Sequence, residues 1–311
     1  MARIVIPDDE PAVIAPSRAF ARLEAEDVRV YDSRPVSAED LVERVRNAEF
    51  VINVRSTTRF TREVLSACGK LKMISIWGTG TENVDLDAAL EFGVRVSNTP
   101  GVAATAVAEH ALMLILAVAR QIVLVDHQVR AGKWPRAMVR QIGGSTIGLI
   151  GAGAIGRELA RMAKGLGCRV IAWSFHPSGD AAEWVEFDEV FRQADVVSLH
   201  LRQSPESTGM IRRKHFDMMK PGSIFINTAR GAIVHEPDLV YALQAGPLGG
   251  AGLDVFQTEP LPPSSPFLRL PNVALTPHSA GITPEVTEAG IAMAIDNILA
   301  FAAGSPAHVV V

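Results

Sequence analysis

The sequence has little cysteine, no surplus of positive charge and no long unbroken apolar run. Each absence removes a class of protein. Cys68 and Cys168 are the only cysteines in 311 residues, so neither a disulfide framework nor a cysteine-built zinc site is available, and no metal is expected. Such sparse usage fits a reducing compartment, and a cytoplasmic location is expected. Thirty Lys and Arg face thirty-four Asp and Glu, a net charge of −4, so the basic footprint that nucleic acid demands is missing. The most membrane-like stretch, 102–119, contains Glu109 and His110. Its unbroken part, 111–119, is about half the roughly 20 residues a bilayer span needs. It reads as a helix buried in a core or between subunits, with no membrane partner. At the N-terminus the apolar run is short and Asp8, Asp9 and Glu10 follow at once, which does not fit a signal peptide.

What is present is an ordinary globular composition, 48% hydrophobic and 21% charged. Short β-branched runs at 3–7, 28–32, 50–54, 72–76 and 94–97 read as strands. Helical patterns at 37–47, 61–67 and 85–91 lie between them, with Ser37 and Thr61 as N-caps. A turn at Asn98-Thr99-Pro100-Gly101 precedes one long helical pattern from 103 to about 130. A second series of strands follows at 146–150, 169–173, 195–199, 223–227, 249–254 and 273–276. Helices are expected at 154–166, 187–193, 214–219 and 236–244, with a final one over 284–303. This rhythm predicts an α/β protein of two doubly wound parallel sheets with a cleft between them. The expected domains are 1–98 plus 284–311, binding substrate, and 99–283, binding a dinucleotide.

The dinucleotide reading rests on Gly151-Ala152-Gly153-Ala154-Ile155-Gly156, a G-x-G-x-x-G that follows a strand and opens a helix. Gly151 permits the tight turn, Gly153 admits a pyrophosphate against the backbone, and Gly156 lets helix and strand pack closely. Ala154 and Ile155 contribute the first N–H groups of the helix. An acid is expected about 20 residues on to hold the adenosine ribose. Ser174 stands there instead, which leaves both NAD and NADP open.

Three polar segments fall just beyond strands, where open α/β sheets bind ligands. They carry Arg230, then Asp254 with Glu259, then His278. Singly, each has a duller reading as a surface pair, a loop charge or a cap. Together with the loop, with Leu199-His200-Leu201, with Asn227-Thr228-Ala229-Arg230-Gly231 and with Pro277-His278, they resemble the D-isomer-specific 2-hydroxyacid dehydrogenase family. Val54-Arg55-Ser56, Gly78-Thr79-Gly80 and Val107-Ala108-Glu109-His110 extend the resemblance over essentially the whole chain. Ser174 and Arg202 depart from the family pattern.

The resemblance implies a hydride transfer between NAD(P)(H) and a small anionic 2-keto or D-2-hydroxy acid, glyoxylate and hydroxypyruvate being examples. His278 would be the acid/base, Glu259 its partner and Arg230 the substrate-binding cation. It implies cofactor contacts at Gly151, Gly153, Ala154, Ile155, Gly156, Ser174, His200, Thr228, Ala229 and Asp254. Arg55, Ser56, Gly78, Thr79 and Gly80 would hold the substrate carboxylate. His110 reads as structural. A homodimer is expected. A dinucleotide-sensing corepressor of the same fold is the alternative, disfavoured because no extended tail follows the last helix. A formate dehydrogenase is disfavoured because those chains are usually longer and have different polar residues near the base.

Overall fold

The computed structural model describes residues 3–54, 58–136 and 138–311. The chain divides into two compact units, Met1–Ala103 with Ile282–Val311, and Ala104–Gly281.

In the first unit, β1 (Arg3–Ile6), β2 (Asp27–Val30), β3 (Phe50–Asn53), β4 (Met73–Ile76) and β5 (Arg95–Ser97) form a parallel sheet in the order β2-β1-β3-β4-β5. Every residue of β3 and β4 is buried, because α1 (Ala38–Val45), α2 (Arg62–Ser66), α3 (Leu86–Glu91) and the C-terminal helix Pro284–Ala302 cover the sheet. Each fully buried Val or Ile contributes about 1.5–3 kcal/mol over exposure, which is why these runs carry no polar alternation. Ser37 caps α1, its hydroxyl accepting the Asp40 N–H. Thr61 sits at the cap of α2 but makes no such bond; its hydroxyl faces the Glu63 carboxylate instead. The C-terminal helix is tied to β4 by the Ser75 hydroxyl, which donates to Ala294 O at 2.9 Å.

The second unit opens with α4 (Ala104–Ala119) and α5 (Ile122–Arg130), bent by 60° at the break. The sequence pattern predicts one continuous helix here. Gln121 adopts a left-handed conformation at φ 51°, which ends the first helix without a glycine or proline to mark it. Among the described residues no single helix is long and apolar enough to cross a membrane.

Seven parallel strands follow: β6 (Thr146–Ile150), β7 (Arg169–Trp173), β8 (Glu183–Trp184), β9 (Val196–Leu199), β10 (Ser223–Asn227), β11 (Leu248–Leu253) and β12 (Val273–Leu275). Their order is β12-β11-β10-β9-β6-β7-β8. Helices α6 (Ala154–Gly165), α7 (Phe187–Gln193), α8 (Arg213–Asp217) and α9 (Glu236–Gln244) connect them. The order reverses between β6 and β9, so the loops after these strands flank the crevice where such sheets take ligands. Helix α4 lies close on β11, where a Cβ at Gly252 would stand 2.7 Å from the Leu114 side chain.

Candidate active site

The loop from β6 to α6 is built for close backbone approach. Gly151 has φ +97°, and a Cβ on it would meet His200 O at 2.8 Å. A Cβ on Gly156 would meet Gly151 O at 2.4 Å, so helix and turn can touch only through glycine. Gly153 caps α6 with no side chain, is exposed, and has open space where its Cβ would be. The first-turn N–H groups of Ala154, Ile155 and Gly156 therefore meet no capping side chain. A helix start in this state suits an anionic phosphate.

Two buried atoms without partners lie at neighbouring strand ends. The Thr228 hydroxyl, just past β10, and Nδ1 of His200, just past β9, have no hydrogen bond among the described residues. The other ring nitrogen of His200 lies 2.9 Å from the Ser198 hydroxyl. Burial pushes the His200 pKa down to about 4, so the ring is neutral and offers a polar group rather than a charge. Ser174 ends β7 half-buried, beside a cavity of about 480 Å³ lined by Trp173, Pro177, Trp184, Val185 and Glu186. Glycine cradle, uncapped helix start and orphaned polar atoms together fit a nicotinamide dinucleotide.

Beyond β10, Asn227 organises the next residues. Its carboxamide accepts the Ala229 N–H at 3.0 Å and donates to Arg230 O at 3.1 Å. Arg230 Nη1 in turn donates to Ala229 O at 2.8 Å. Gly231 packs against the backbone of Phe256, where a Cβ would stand 2.0 Å from the carbonyl carbon. That contact brings the segment carrying Arg230 against the segment leading to Glu259.

Glu259 accepts the Phe256 N–H through Oε1 at 2.9 Å and meets His278 Nδ1 through Oε2 at 2.7 Å. Burial works to raise its pKa. The hydrogen bonds from His278 and Phe256, with the charges of His278 and Arg230, outweigh that and hold it below the ordinary carboxylate value. The Glu259 carboxylate thus stays ionised beside the imidazole. His278 has no second partner for Nε2 among the described residues, and its side chain is 45% exposed. This is a carboxylate-oriented imidazole whose partner carboxylate also feels the charge of Arg230, suited to moving a proton at a polarised oxygen.

Asp254, expected at the nicotinamide, is 1% exposed, and its carboxylate is engaged by Thr276, Ser279 and Ala280. His110 reaches the same cluster through Thr276. The sequence alone gives Asn227 and Thr276 no role and reads His110 as structural, whereas here each is tied into the site by a side-chain hydrogen bond.

In the first unit, Arg55 and Ser56 lie outside the described residues. Gly78 has φ +140°, and its N–H is engaged by the Thr99 hydroxyl at 2.8 Å. Asn98 donates to Thr79 O at 2.8 Å, which pins the turn while the N–H groups of Thr79 and Gly80 remain without a partner among the described residues. The Asp8 carboxylate accepts from the Thr58 hydroxyl at 2.8 Å, and Asn53 and Asn83 both donate to Thr58 O. A buried polar set thus anchors the described residue that follows Arg55 and Ser56. Among the described residues no cluster of three or more His, Cys, Asp or Glu could hold a metal ion.

A sequence model described as the NAD binding domain of D-isomer specific 2-hydroxyacid dehydrogenases matches residues 112–280. A glyoxylate reductase of Thermococcus litoralis is 38% identical over 278 residues, covering 85% of this chain and 83% of the relative. A D-3-phosphoglycerate dehydrogenase of Archaeoglobus fulgidus is 39% identical over 279 residues, covering 87% of this chain and 53% of the relative. An acyclic imino acid reductase solved with NADPH and D-Arg superposes with a TM-score of 0.92 at 29% identity, covering 99% of this chain and 100% of that one.

Proposed function

Since the chain belongs to the D-isomer-specific 2-hydroxyacid dehydrogenase family and is an NAD(P)-dependent oxidoreductase, we propose that it interconverts a small 2-keto acid and the D-2-hydroxy acid, with His278 moving the proton. The observation that carries this reading is the 2.7 Å contact between His278 Nδ1 and Glu259. It leaves Nε2 to give a proton to the carbonyl oxygen during reduction, or to take one from the hydroxyl during oxidation. Ionised Glu259 stabilises the imidazolium that reduction requires. Arg230 grips the substrate carboxylate and draws charge toward the reacting oxygen, which a forked, permanent cation does well.

A bound nicotinamide would supply or accept the hydride at the substrate 2-carbon. Gly151, Gly153, Ala154, Ile155 and Gly156 would hold its pyrophosphate, and Ser174 the adenosine ribose. His200, Thr228 and Ala229 would line the cofactor crevice. With Ser174 in place of the usual carboxylate, both NAD and NADP are admitted. In the first unit, the amides of Thr79 and Gly80, without a partner among the described residues, suit a substrate carboxylate, with Arg55, Ser56 and Gly78 completing that loop set. Met113, Leu116, Ile122, Val123 and Val129 expose apolar side chains along α4 and α5, and a second copy of the chain is the proposed partner there. Both cysteines are free and buried, which accords with the reducing cytoplasm.

The test follows NADH and NADPH absorbance over a panel of 2-keto acids with wild type and His278→Ala. Turnover by wild type and a loss of about 1,000-fold in the variant is expected, within the range for a positioned acid/base. Cofactor binding without turnover on any keto acid would replace this reading with the sensing one.

A further inference from the structure

We propose that Asp254, Thr276 and His110 are positioning residues that fix the backbone conformation of His278. The proposal rests on His278 being the acid/base and deepens that reading. His278 has φ +54°, a conformation that residues with a Cβ seldom adopt. Something must hold it there, and the surrounding hydrogen bonds show what does. Asp254 ends β11 at 1% exposure and clamps both sides of His278. Its backbone carbonyl accepts the His278 N–H at 2.7 Å. Its Oδ1 accepts the Ser279 N–H at 2.9 Å, and its Oδ2 accepts the Ala280 N–H at 3.0 Å. The two residues after His278 are thus tied to one buried carboxylate.

The Thr276 hydroxyl donates to Asp254 Oδ1 at 2.6 Å. A threonine has only one hydroxyl proton, so His110 Nε2, 2.9 Å away, must be the donor to Thr276. The relay therefore runs from helix α4 through the His110 ring and Thr276 to Asp254, and from Asp254 to the loop. Three of the roughly four acceptor directions of the carboxylate are occupied by the protein itself. Only a carboxylate can accept both N–H groups, since an amide would turn its NH₂ toward one of them.

The experiment compares Asp254→Asn, Thr276→Val and Thr276→Ser with wild type. It reads the dinucleotide Kd by NADH and NADPH fluorescence, and kcat and KM for keto-acid reduction across pH. Asp254→Asn should lower kcat about 10–100-fold, as a misplaced catalytic group does, while the dinucleotide Kd stays within about twofold. Thr276→Val should lower kcat in the same sense by less, with a changed pH profile, and Thr276→Ser should restore both. If Asp254→Asn yields no folded protein, the two threonine variants decide. A dinucleotide Kd that rises in step with the loss of kcat would overturn the proposal and place Asp254 at the nicotinamide. So would wild-type kcat in Thr276→Val. Full activity in His278→Ala would instead sink the acid assignment, whatever the Asp254 variants show.

Discussion

His278 Nδ1 lies 2.7 Å from Oε2 of Glu259, and the other oxygen of that carboxylate is held by the Phe256 N–H. The carboxylate is therefore fixed from behind before it orients the ring. Glu259→Gln keeps the shape and removes the charge that favours the imidazolium, and kcat for reduction should fall about 100-fold. The sign with pH follows from the lowered Glu259 pKa. The ion pair persists as pH falls, until the carboxylate protonates below its ordinary value of about 4.3. In wild type, reduction should therefore hold on the acid side to below that value, where Glu259 takes up its proton. In Glu259→Gln, which has no carboxylate to protonate there, that acid limb should vanish, which a kcat profile measures. An acid limb that survives unchanged in Glu259→Gln would show that another group sets it.

Arg230 is placed by its own neighbourhood: Asn227 holds its carbonyl and Ala229 O takes one of its N–H groups. Arg230→Lys retains charge but loses the planar fork, so it should not behave as a conservative change. We expect KM for the keto acid to rise about tenfold or more and kcat to fall as well, with dinucleotide affinity unchanged. Steady-state kinetics with a fluorescence Kd separates the two. Equal kinetics in wild type and variant would remove Arg230 from the substrate.

The strands were legible because their β-branched runs are buried on both faces, as in β3, β4 and β9, where every residue is inside. The two-residue edge strand β8, Glu183–Trp184, was missed because a half-exposed pair carries no such pattern. The break at Gln121 was invisible because the apolar helical pattern runs through it. In the site, residues lying just beyond strands could be picked out by type and place. Hydrogen bonds between distant segments could not. Nothing in the order of residues shows that Asp254 would clasp Ser279 and Ala280, or that the Gly78 N–H would go to Thr99. Those bonds arise when loops fold onto one another, and no local spacing encodes them.

Ser174→Asp tests the adenosine end. A carboxylate at the end of β7 would repel a 2′-phosphate and accept from ribose hydroxyls. The ratio of kcat/KM for NADPH over NADH should fall about tenfold or more, mostly through NADPH. Equal effects on both cofactors would show that Ser174 does not face the ribose.

His200 gives a prediction about stability. Its ring is held neutral by burial, with a pKa pushed down to about 4. In the unfolded chain it takes a proton near 6.5, whereas in the folded protein it does so only near 4. Across that window the unfolded state binds more protons, so folding stability falls as pH falls, by about 3 kcal/mol once both values are passed. Urea melts of wild type at pH 7 and pH 4.5 will contain this loss together with those of other groups. His200→Gln isolates it, because glutamine keeps a polar side chain and cannot titrate. The variant should lose about 2–3 kcal/mol less between the two pH values than wild type does. Parallel losses in the two proteins would mean that His200 is hydrated enough to titrate normally. The same result would weaken its place as a neutral polar group in the cofactor crevice.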